Sequence, residues 1–143
     1  MNLAGACHCR DIHYELEWPQ EGAVIPARRC TCSYCMRFNG TWTSHPEARL
    51  VIRLRHAAGH GGYRFGTATA DFLFCGRCGI TIAALCETDG TLRAVVNVNT
   101  LDRDDIVFEH SDSNFDSESK EQRLNRRQAR WIAHVQIIEE AQS

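Results

Sequence analysis

Seven of the eight cysteines in this chain stand in three short clusters: Cys7-His8-Cys9, Cys30-Thr31-Cys32-Ser33-Tyr34-Cys35 and Cys75-Gly76-Arg77-Cys78-Gly79. Thiols this close in sequence are poorly placed to bridge each other, but they can point together at one soft cation. Zinc takes such thiolates tetrahedrally at about 2.3 Å. Seven sulfurs cannot fill two closed four-sulfur shells, so the count predicts one complete site and one with an open position. A closed shell is structural, whereas an open one is where a metal can do chemistry.

A disulfide framework is the competing use of many cysteines, and it belongs to small secreted proteins. Met1-Asn2-Leu3-Ala4-Gly5 lacks the basic start and apolar run of a signal peptide. A cytoplasmic, reducing location is therefore expected. At 143 residues the chain is also long enough to bury a core without covalent staples. A thioredoxin-like redox centre would call for a single Cys-x-x-Cys in a βαβ setting, and no such setting is legible. Metal binding is the reading that the spacing favours.

Two partitions of the sulfurs compete. Two Cys-x-x-Cys units, Cys32/Cys35 and Cys75/Cys78, would make a zinc ribbon, but Cys7, Cys9 and Cys30 would be strays. Alternatively, Cys30, Cys32 and Cys35 cap three corners of one tetrahedron from a single loop. Cys7, Cys9, Cys75 and Cys78 then close a four-sulfur site between distant segments. The closeness of Cys30 to Cys32 favours the second partition. Gly79 suits a knuckle in which a glycine takes positive φ.

These clusters must be positioned by strands. Ile12, Tyr14, Leu16 and Trp18 alternate with polar residues, the period of a half-buried strand. Pro19 to Gly22 reads as a turn. Trp42 lies in a short β-prone stretch, and Leu50 to Leu54 is a further strand. The loop Gly59-His60-Gly61-Gly62 should return through Tyr63-Arg64-Phe65 as a hairpin partner. Phe72 to Phe74 leads into the third cluster and Ile80 to Leu85 leads out. Asp89-Gly90 is a hairpin-turn dipeptide, followed by a strand over Leu92 to Val98. Ser111 to Asp116 reads as a polar loop. From Ser117 to about Ala133 helix formers dominate, with Ser117 or Ser119 as N-cap; the latter completes a capping box with Gln122. Leu124 and Trp131, seven apart, give that helix a docking face. The expectation is one domain over 1–143, mostly antiparallel β with a core over about 3–110, and one C-terminal helix over about 117–133.

Charged residues are 24% of the chain and the formal net charge is −2, with a pI near 6.4. That balance is not a nucleic-acid binder's. No apolar run approaches the roughly 20 residues of a membrane span.

Gly5-Ala6-Cys7-His8-Cys9, the Cys30–Cys35 run with Arg37 and Gly40, Phe74-Cys75-Gly76-Arg77-Cys78-Gly79, and Val96-Asn97-Val98-Asn99-Thr100-Leu101-Asp102 together resemble the glutathione-dependent formaldehyde-activating enzyme family, which shares its domain with centromere protein V. The resemblance spans residues 3 to about 102. It implies small antiparallel sheets of the β-tent type, organised around two zinc ions. It further implies a structural zinc on Cys7, Cys9, Cys75 and Cys78, and an active-centre zinc on Cys30, Cys32 and Cys35. The implied activity is that of a zinc-dependent carbon–sulfur lyase, S-(hydroxymethyl)glutathione synthase, with glutathione and formaldehyde as partners. The chain departs from the family in placing Met36 where a basic residue is common, and in carrying a charged C-terminal helix where the family is usually short and loop-like.

At an open zinc an incoming thiol loses its proton near neutral pH, and the thiolate can attack a small aldehyde. Three thiolates on a divalent ion leave a net charge of −1, so this acidification is weaker than at a three-histidine zinc. Arg28, Arg29 and Arg37 flank the trio and are the candidates for glutathione's carboxylates. Trp42 is expected in the core rather than as a pocket wall, Cys86 as a small buried hydrophobe, and Arg123, Arg126, Arg127 and Arg130 as a solvated helix face. His56 and His60 share helical spacing, but the glycines at 59, 61 and 62 speak against a helical metal pair, and His8 need not ligate. The alternative function is a non-catalytic, zinc-stabilised binding module or glutathione carrier.

Overall fold

The structure, a computed structural model, describes residues 1–22, 24–56 and 60–140. Eleven strands and one α-helix are described: β1 (Asn2–Ala6), β2 (Ile12–Glu17), β3 (Ile25–Cys30), β4 (Thr41–Thr43), β5 (Arg49–Leu54), β6 (His60–Tyr63), β7 (Asp71–Cys75), β8 (Thr81–Thr88), β9 (Thr91–Asn97), β10 (Phe108–Ser113), α1 (Lys120–Arg130) and β11 (His134–Glu139). One sheet has the order β1-β2-β5-β11 and the other β10-β3-β4-β9-β8-β7-β6. The protein is mainly β, as expected. No helix among the described residues is long and apolar enough to cross a membrane.

Period-two patterning explains how the layers stack. In β2, Ile12, Tyr14 and Leu16 are buried while the residues between them are not. They meet Leu50, Ile52 and Leu54 of β5 and, from the second sheet, Ala83, Ala94 and Val96 in one core. The intervening residues Ala84, Cys86 and Val95 point to the opposite face of the second sheet. There they pack with Trp42, Cys32, Cys35, Trp131 and Leu124. The seven-stranded sheet therefore has two covered faces: the four-stranded sheet lies on one, and α1 with the Cys30–Cys35 loop on the other. Asp89 (φ 48°) and Gly90 (φ 76°) join β8 to β9 with Thr88 opposite Thr91, the two-residue turn expected from that dipeptide.

Several expectations are corrected. Ser111–Ser113 are not loop but the end of β10, which runs parallel to β3. β10 is an edge strand with mostly exposed side chains, so its polar sequence carries no alternation to read. The helix is shorter than expected, with Ser119 as N-cap and the capping box to Gln122 formed in both directions. Past it the chain returns as β11, parallel to β5, so the last described element is a strand instead of the helix. Tyr63 does not pair back on Leu50–Leu54. β6 pairs with β7, while β5 lies between β2 and β11. Gly61, which reads as a loop residue, is a packing requirement, because a Cβ there would run into the Phe74 ring. Gly59 lies outside the described residues. His60 begins β6, so it shares no helix with His56.

Candidate metal centres and the cavity beside them

The first cysteine group is built from two hairpin tips. Cys7 and Cys9 sit in the β1–β2 turn, closed by the Cys7 N–H donating to the Ile12 carbonyl at 2.9 Å. Cys75 ends β7, and Cys78 lies in the β7–β8 turn, closed by the Cys75 N–H donating to the Ile80 carbonyl at 3.0 Å. Each tip is a knuckle with a left-handed residue, Arg10 (φ 67°) in one and Gly79 (φ 82°) in the other. The four Sγ atoms lie within 4.8 Å of one another, with Cys9 at 3.7 Å from Cys7 and 3.6 Å from Cys75. Tetrahedral thiolates at a zinc stand about 3.8 Å apart, from a bond near 2.3 Å. Backbone N–H groups of Ile12, Arg77 and Cys78 donate to these sulfurs, each at 3.4 Å. The two tips belong to different sheets, so a cation here would tie the sheets together.

The second group is local. Cys30 ends β3, Cys32 follows in the loop, and Cys35 opens a 3-10 turn over Cys35–Arg37. Their sulfurs also lie within 4.8 Å of one another, and the Cys35 N–H donates to Cys32 Sγ at 3.4 Å. The three thiols hold their protons unevenly. The hydrogen bond from Cys35 brings Cys30 down to about 6 against its burial, aided by the Cys32 backbone N–H. Cys35, at the other end of that bond, is pushed up. A cluster carrying a thiolate at neutral pH suits a soft cation. Both groups fit zinc in donor type and spacing.

The trio opens into a cavity of about 110 Å³ between the outer face of the second sheet and α1. Trp42, Phe72 and Ala84 form part of its sheet side, and Arg28, Arg123, Arg126, Arg127 and Trp131 also line it. Trp42 is both core and wall, being only 6% exposed. Arg28 and Arg29 are neighbours on β3 and point to opposite faces. Arg28 reaches the cavity and donates to Ser44 Oγ at 2.8 Å. Arg29 makes a two-pronged pair with Asp112 at 3.1 and 3.0 Å and does not line the cavity. Arg37 is exposed outside it, and so are Met36 and His8.

Cys86 is buried and stands apart from both sulfur groups. It is more than a small hydrophobe, because its Sγ accepts a hydrogen bond from Arg127 Nη1 at 3.4 Å. Arg127 overturns the expectation of a solvated helix face, since it is only 6% exposed. It also donates to Thr69 Oγ1 at 2.8 Å and lies 4.8 Å over the Trp131 ring. Burial lowers its pKa against the hydrogen bond to Cys86, with the charges of Arg126 and Arg123 acting in the same direction as burial. Sequence reasoning missed Arg123 and Arg127 as cavity residues. Their spacing from Leu124 and Trp131 was the available signal, since it places them beside the docking face.

This is a small, mainly β protein with two compact thiol groups that could hold metal ions and are compatible with zinc, one of them opening on a cavity. Residues 2–116 match the family described as glutathione-dependent formaldehyde-activating enzyme, and the chain belongs to that family. A crystal structure of a Rhodobacter sphaeroides protein is similar, with 29% sequence identity and a TM-score of 0.52 over 74% of this chain and 99% of that one.

Proposed function

We propose that this chain is a zinc-dependent carbon–sulfur lyase that joins a small thiol to an aldehyde beside Cys30, Cys32 and Cys35, with glutathione and formaldehyde as the pair the family implies. In this reading Cys7, Cys9, Cys75 and Cys78 hold a structural zinc, and the trio holds a zinc at the active centre. The single observation that carries it is that three sulfurs converge, with no fourth among the described residues, at the edge of a cavity. Zinc held there by Cys30, Cys32 and Cys35 would supply Lewis acidity, which favours the deprotonated form of an incoming thiol near neutral pH. The trio fixes where the thiol sulfur must arrive, and the apolar wall of Trp42 and Phe72 limits water beside it. In the addition a C–S bond forms, the C=O π bond breaks, and the thiol's proton ends on the former carbonyl oxygen. Clustered free thiols require a reducing compartment, which supports a cytoplasmic location.

Cobalt substitution tests the reading. Glutathione should shift the sulfur-to-cobalt absorption of the loaded protein, and S-methylglutathione, which has no thiol, should not. An equal response to both compounds, or a response to neither, overturns it.

A further inference from the structure

The cavity carries more positive charge than its own carboxylates neutralise. Arg126 is matched by Glu118, with Nη2 at 3.0 Å from Oε1. Arg28, Arg123 and Arg127 donate to no carboxylate: their acceptors are Ser44 Oγ for Arg28, the Phe115 carbonyl for Arg123 at 2.7 Å, and Thr69 Oγ1 and Cys86 Sγ for Arg127. Among the described residues none of the three makes an ion pair. The Nε atoms of Arg123 and Arg127 are buried with no acceptor at all. Burying a guanidinium without a counter-charge is costly, and a fold that does so leaves a place for an anion. Arg127 and Arg123 lie on α1, beyond the stretch that matches the family.

We propose that α1 builds an anion subsite into the cavity, in which Arg28, Arg123 and Arg127 hold a carboxylate carried by the thiol or aldehyde that reaches Cys30, Cys32 and Cys35. The proposal rests on the reading of the trio as a zinc centre, which it deepens by assigning the ligand's carboxylate to residues of α1, beyond the family match, together with Arg28. Local pairing selects the ligand. Three guanidiniums without an ion pair line the cavity beside one carboxylate, Asp116, and a carboxylate on the ligand gives them the counter-charge that the described residues do not supply. The planar fork of a guanidinium matches a carboxylate in two-pronged geometry. The three arginines are specificity residues: they position the ligand and touch no reacting bond.

The test compares two thiols of equal length on the cobalt-loaded full chain, 3-mercaptopropionate and the neutral 3-mercaptopropan-1-ol, by titrating the cobalt spectrum. The acid should bind at least tenfold more tightly, and propionate, which has no thiol, should weaken the acid without affecting the alcohol. Arg28→Gln and Arg123→Gln should each bring the acid's affinity down severalfold toward the alcohol's. Arg127 is packed inside, so Arg127→Lys, which keeps the charge and loses the fork, replaces Arg127→Gln if the latter fails to fold. Equal affinities for the two thiols in wild type overturn the subsite and leave the zinc reading standing. A spectrum that neither thiol moves overturns the zinc reading, and the proposal with it.

Discussion

Replacing Cys75 by serine should unfold the protein far more readily than replacing Cys32, although each change removes one sulfur from one group. Cys75 and Cys9 are 66 residues apart in sequence with sulfurs 3.6 Å apart, and they belong to hairpins of different sheets. Treated as a cross-link, a cation there removes loop-closure entropy worth about 4 kcal/mol from the unfolded chain. The trio spans only Cys30 to Cys35, and a loop that short is worth roughly half as much. Against a typical stability of about 5–15 kcal/mol, loss of the long link leaves a marginal fold and lowers Tm by about 10 °C or more. The sulfur of Cys75 is also buried and accepts the N–H groups of Arg77 and Cys78, so the shorter serine oxygen adds to the loss. Thermal melts beside elemental analysis of the purified variants provide the assay. A Cys75→Ser protein that has lost one zinc and melts like wild type would refute the cross-link reasoning, as would a Cys32→Ser protein that is the less stable of the two.

Protein purified without chelator should carry two zinc ions per chain, falling to one in Cys32→Ser with the fold intact; elemental analysis of zinc-supplemented preparations that stays at one for wild type contradicts the two-centre reading. Cys86→Ala should keep both ions but cost about 1–3 kcal/mol, because it takes from the buried Arg127 one of its two side-chain acceptors; loss of an ion would instead make Cys86 a ligand. Gly5→Ala should destabilise by about 1–3 kcal/mol, since its Cβ would enter the space of the Tyr14 ring and the Thr100 carbonyl. An unchanged denaturation midpoint would show that β1 can shift to make room.

What could be read from the sequence was what short spacing controls. The cysteine clusters, the Asp89-Gly90 turn and the Ser119/Gln122 capping box are each decided within a few residues, and each is found where the spacing put it. Strands with one buried face, such as β2, were legible because their alternation records that burial. The edges were not. β10 and β11 find their ladder partners in β3 and β5, and a mostly exposed edge strand needs no apolar period to be stable. The fate of the arginines was likewise tertiary. Arg28 and Arg29 are alike in sequence, yet the pleat sends one to the cavity, while β10 supplies Asp112 to the other. Arg127 lies among polar neighbours on a charged helix, and only the docking of Leu124 and Trp131 on the second sheet puts it inside. Composition and spacing determined which atoms can hold a metal; the stacking of α1 on the sheet decided which charges surround it.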